Sequence, residues 1–141
     1  MVLDQALLKA ANATIVAGIG CRKGVSAAEV QAAVEAAIAG DAFAGRRPGL
    51  LAAPAAKQHE QGIRGAAAAL GLRLMWISQT ELEAVDPRTR TRSARSMAAM
   101  NVGSVAEASA LAAAGPYARL LVERVVVGAV TCALAQNECP P

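Results

Sequence analysis

Three times along the chain a serine is followed three residues later by a glutamate: Ser26 with Glu29, Ser78 with Glu81, and Ser104 with Glu107. In a capping box the serine oxygen accepts from the amide three positions on and the glutamate reaches back to the serine amide, so the pattern fixes where a helix begins. The first two boxes follow TIVAGIG and LRLMWI, apolar runs that read as strands. Strands that feed directly into capped helices build an α/β fold.

The remaining elements follow from periodicity and punctuation. A helix is expected at about 27–39, where Val30, Val34 and Ile38 share a face and Gly40 ends the run. Others are expected at about 55–70, closed by Gly71, at 79–85, and at 105–114, stopped by Gly115 and Pro116. Strands are expected at 14–20, near 50–53, at 73–77, and at 119–126 and 129–135 around a turn at Gly128. Three βα steps before a terminal hairpin predict a three-layer αβα domain: a mixed sheet of about five strands with helices on both faces, spanning residues 1–141 as one unit. Hydrophobic residues make up 55% of the chain but aromatics only 2%. With so much alanine, the helices must pack closely through small side chains. Gly62 and Gly65 each cost their helix about 1 kcal/mol relative to alanine, so they mark close packing or a break.

Several function classes are excluded by composition. The N-terminal VLDQALLKAANA carries Asp4 and Lys9 within its apolar run, which fits neither a secretory segment nor a membrane span. It reads as a short lead-in, and the expected location is the cytoplasm, where Cys21, Cys132 and Cys139 stay reduced. Their spacing matches no zinc site and His59 is the single histidine, so neither a metal nor a cofactor is expected. A net charge of +3, one residue each of Trp, Tyr and Phe, and no nucleic-acid motif argue against a nucleic-acid partner.

The candidate binding residues begin at the first βα junction. Gly18, Gly20 and Gly24 allow a tight turn and close approach of a ligand, and Arg22 and Lys23 set two cations beside the amides of a helix start. A dinucleotide fingerprint would need glycine where Lys23 stands, and a P-loop would need Lys-Ser/Thr where Val25 follows Gly24. The junction is therefore either an anion site of another kind or a basic turn. Cys21 at this cationic position is expected to have a lowered pKa, but no spacing links it to a base, and no catalytic residue is assigned. His59 and Glu60, close to Lys57 in sequence, would serve proton transfer only if they face the same cleft. Residues 86–103 show no apolar periodicity and carry four arginines against one aspartate. An extended backbone there would put Arg88, Arg90 and Arg92 on one side, suited to several carboxylates or phosphates; a solvated surface loop is the alternative.

Four blocks together resemble the CobE and CbiG C-terminal family of cobalamin biosynthesis. They are VAGIGCRKGVSAAEVQAAV; Lys57 ahead of a helix closing at LGL; ISQTELEAV; and VGSVAEASALAAAG leading into RLLVERVVVGAVTCALA. The likeness runs from about residue 14 to 135, in the stand-alone form of the module. It implies a role in making the corrin ring by the aerobic route: binding or carrying an anionic precursor such as hydrogenobyrinic acid, or assisting other cobalamin-pathway enzymes. The alternative it implies is a lactone hydrolase acting on cobalt-precorrin-5A. Corrin precursors carry many carboxylates, so Gly18–Gly24 with Arg22 and Lys23, Lys57, the Arg88–Arg95 segment, and Asn101, Gly103 and Ser104 at the last helix start are the expected ligand contacts, with Met97 and Met100 as apolar contacts or gap-fillers. The hairpin VERVVVGAV departs from the polar turn expected of the family, and its valines would mark a subunit contact.

Overall fold

The computed structural model describes residues 14–41 and 46–138. The expected lead-in and Cys139 lie outside these residues. Five strands, β1 (Ile15–Cys21), β2 (Leu50–Pro54), β3 (Arg73–Ile77), β4 (Arg119–Val127) and β5 (Val130–Gln136), form one sheet in the order β3-β2-β1-β5-β4. β1, β2 and β3 are parallel, whereas β5 runs antiparallel to both β1 and β4. The sheet is thus mixed and ends in the expected hairpin.

Among the described residues five α-helices accompany it: α1 (Ala27–Ala39), α2 (Gln61–Leu70), α3 (Gln79–Val85), α4 (Ala94–Met100) and α5 (Val105–Ala114). Alternation along β1 sorts them onto two faces. Ile15, Ala17 and Ile19 pack with Val30, Val34 and Ile38 of α1 and Ile63 of α2. Val16 packs on the other face with Leu82 of α3 and Ala108, Ala110 and Leu111 of α5. Because α5 is built from small residues it can lie almost on the sheet: a Cβ on Gly18 would fall 2.1 Å from the Ala106 carbonyl oxygen and 2.8 Å from the Ala110 Cβ. The same economy of side chain joins the helices of the first face, where a Cβ on Gly62 would meet the Val25 carbonyl oxygen at 2.2 Å.

Two expectations change. The helix expected at 55–70 divides into a 3-10 turn at Ala55–Lys57 and α2, because the chain after Pro54 must first bring Lys57 and Glu60 round beside the Gly24 loop, whose amide donates to Glu60 Oε1 at 2.9 Å. Residues 86–103 are not an unstructured loop. A 3-10 turn at Asp86–Arg88 leads to α4, capped by Ser93, whose side chain accepts from the Ser96 amide.

Candidate functional site

A cleft of about 460 Å³ opens at the carboxyl end of β1. On one side of β1 the chain runs outward to β2 and β3, and on the other it returns as β5, so the cleft occupies the switch point where open α/β sheets hold ligands. Its floor is Gly20 and Cys21 of β1 with Thr131 of β5, and its rim includes Arg22 and Lys57. Ser93, Arg95, Ser96, Ala99 and Met100 come from α4, and Val105 from the first turn of α5. Arg124 and Val126 of β4, with Gly128 and Ala129 at the hairpin turn, complete it.

The local geometry explains why these residues meet. The Arg22 amide donates to the Ala129 carbonyl, fastening the first loop to the hairpin. Thr131 Oγ1 donates to the Gly20 carbonyl at 3.2 Å, and a Cβ on Gly20 would lie 2.6 Å from that hydroxyl, so glycine keeps the floor open. The Ser93 amide donates to the Gly103 carbonyl, which anchors the start of α4 beside the start of α5.

Charge in the cleft has one sign. Arg22, Lys57, Arg95 and Arg124 line it with no carboxylate, and none of the four makes an ion pair among the described residues. Elsewhere five arginines meet carboxylates within the described residues: Arg46 with Asp41, Arg47 with Glu35, Arg90 with Glu123, Arg92 with Asp86 and Arg119 with Glu138. Cations crowded together without partners suit a ligand that brings several carboxylates. Met100, Val105, Val126 and Ala129 add an apolar wall.

The sequence-derived candidates divide between this cleft and other tasks. Gly20, Cys21, Arg22 and Lys57 line it. Gly18 lies outside the lining, pressed under α5, and exposed Lys23 is outside it too. Gly24, at φ 78°, gives its amide to Glu60. Asn101 takes a left-handed φ of 56° to end α4, Gly103 donates to Asp86 Oδ1 at 2.8 Å, and buried Ser104 caps α5. Arg88, Arg90 and Arg92 do not present a common face: Arg88 donates to the Ala118 carbonyl and the other two pair with Glu123 and Asp86. Of that segment's arginines, Arg95 lines the cleft.

The Cys21 expectation is reversed. Burial pushes its thiol above the ordinary value, opposed by Lys57 and reinforced by Glu60, so the group is a poor thiolate. His59 and Glu60 lie outside the lining, with His59 Nε2 3.5 Å from Glu60 Oε2. Among the described residues no group of three or more His, Cys, Asp or Glu side chains is placed to hold a metal ion, and no helix is long and apolar enough to cross a membrane.

Sequence reasoning missed Arg124, Thr131 and the role of Glu107. The third serine–glutamate pair is only half a capping box: Ser104 Oγ accepts from the Glu107 amide at 3.2 Å, but the Glu107 carboxylate turns elsewhere. Its Oε1 accepts from the amides of Arg90 and Thr91 at 2.7 and 3.0 Å, and its Oε2 from Thr91 Oγ1 and the Arg124 amide at 2.6 and 2.9 Å. Burial alone would raise its pKa, yet these bonds outweigh burial and hold the carboxyl below the ordinary glutamate value. The available signal was a charged residue inside an alanine-rich helix whose one other polar residue is Ser109.

Residues 15–135 match the family described as Cobalamin synthesis G C-terminus. The chain belongs to this cobalamin synthesis family. It is accordingly a protein of the cobalamin biosynthesis pathway. Protein CobE of Sinorhizobium sp. is 35% identical over 128 residues, covering 89% of this chain and 81% of that protein. Among solved structures, CobE, a protein from the cobalamin (vitamin B12) biosynthetic pathway, superposes with a TM-score of 0.81 at 31% identity, covering 89% of this chain and 91% of that one. The cobalamin biosynthesis protein chiG from Agrobacterium tumefaciens str. C58 gives a TM-score of 0.68 at 47% identity, covering 86% and 96%. In this member of the family, the cationic cleft draws on the first, second and last matched blocks and on the segment between the third and the last.

Proposed function

We propose that this family member binds and carries an anionic corrinoid precursor of the aerobic pathway, a hydrogenobyrinic acid-like polycarboxylate, for other cobalamin-pathway enzymes in the cytoplasm. The observation that carries the reading is the meeting of Arg22, Lys57, Arg95 and Arg124 in one cleft with no acidic residue. Guanidinium groups make paired, charge-assisted bonds to carboxylates, and the apolar residues between them suit the face of a flat ring. A corrin with all its acidic arms is larger than the cleft of about 460 Å³. It would be gripped by one edge, with the remainder reachable by the enzyme that takes it next. The lining offers hydroxyls, a protonated thiol and cations, and neither histidine nor carboxylate to act as a base, which favours holding over turnover.

Titration of the purified protein with hydrogenobyrinic acid, followed by its visible spectrum, tests this. Saturable binding at micromolar concentration is expected, weakened by added salt and by Arg22→Ala or Lys57→Ala, each by about 1–3 kcal/mol. The recovered ligand should be chemically unchanged, whereas an altered product would make the protein an enzyme on the ring. No spectral change, together with protection against heat by ATP, would replace the corrin reading with a nucleotide site.

A further inference from the structure

We propose that Glu107 is a positioning residue for the cleft, a buried carboxylate that, with a bulge in β4, aims Arg124 at the ligand. This rests on the reading of the cleft as a polycarboxylate site and adds how one of its cations is set.

The register of the hairpin shows the bulge. Val122 pairs with Leu134 and Val125 with Cys132, so three steps along β4 match two along β5. One residue between them is surplus, and the ladder cannot satisfy every amide there. The Arg124 amide instead donates to Glu107 Oε2. Bulges redirect side chains, and here the Arg124 side chain lines the cleft. The other carboxylate bonds run to Arg90 and Thr91, a few residues before Ser93 and Arg95 at the start of α4. A single fully buried group thus joins the two walls that carry Arg95 and Arg124 to the helix between them. A group whose task was only to fill space in α5 would carry no charge, since burying a carboxylate is costly unless every bond is made.

A double-mutant cycle read by affinity for hydrogenobyrinic acid tests the assignment, with each variant's folded state checked by thermal unfolding above the assay temperature. Glu107→Gln should weaken binding roughly tenfold, the loss expected when one charge-assisted contact goes out of line. Arg124→Ala should do about the same, and the double variant should lose less than the product of the two single losses, because Glu107 acts through Arg124 as well as through the wall that carries Arg95. Glu107→Gln combined with Lys57→Ala should multiply, because Lys57 is set by a different turn. Multiplication with Arg124→Ala, or unaltered affinity in Glu107→Gln, would overturn the role. If Glu107→Gln does not fold, amide hydrogen exchange on the unaltered protein decides: an Arg124 amide protected like those of the ladder supports the assignment, and rapid exchange there overturns it. Failure of the unaltered protein to bind hydrogenobyrinic acid would remove the corrin reading, and this role with it.

Discussion

At the scale of single residues, the structure separates two meanings of glycine that share one letter. Gly20 keeps open the floor of the cleft, whereas Gly18, two residues earlier on the same face of β1, lets α5 approach the sheet. Sequence spacing could show that neither position tolerates bulk but not which neighbour forbids it, because the neighbour of Gly18 arrives from nearly ninety residues away. Gly18→Ala should lower stability by roughly 1–3 kcal/mol, since the obstruction is backbone and a neighbouring β-carbon rather than a flexible side-chain end. Its unfolding midpoint in urea checks this, and a midpoint equal to that of the unaltered protein would show that α5 can shift. The arginines teach a similar lesson. Their number in residues 86–95 was plain, but which of them meet carboxylates within the protein depends on Asp86 and Glu123, and only folding brings those carboxylates to them.

At the scale of elements, long periodic segments and capping residues were legible. Ser26 and Ser78 each accept from the amide of the glutamate three residues on, and each glutamate returns to the serine amide, as their spacing implied. Ser78→Ala should cost about 1 kcal/mol by loss of that cap, measured as a shift in urea midpoint at constant slope. No change would mean that α3 is held by Leu82 alone, fully buried beneath it. Helix α4 escaped notice because seven residues with none buried give no apolar stripe; Ser93 as a cap and the pair Met97 and Met100 were its only marks. The β4 bulges were invisible for a deeper reason, since a bulge is a relation between two strands and is written in neither alone.

At the scale of the whole molecule, Asp86 and Glu107 tie together segments that are distant in sequence. Asp86 accepts from Arg92 and from the Gly103 amide, which hold its carboxyl below the usual range, and Glu107 is likewise lowered. A folded pKa below the unfolded one contributes stability in full above the unfolded carboxylate values, near pH 4, and loses it as pH falls through the folded values. Stability in urea should therefore fall steadily from about pH 5 towards pH 3. A midpoint unchanged over that interval would show that neither carboxylate contributes in its ionised form. The four cations of the cleft stand at positions 22, 57, 95 and 124 and belong to four different stretches of chain. If the cleft binds as proposed, recognition is a property of the assembled sheet and of no shorter piece: a fragment ending before β4 would retain the glycine loop and the capped helices yet have lost one jaw of the grip.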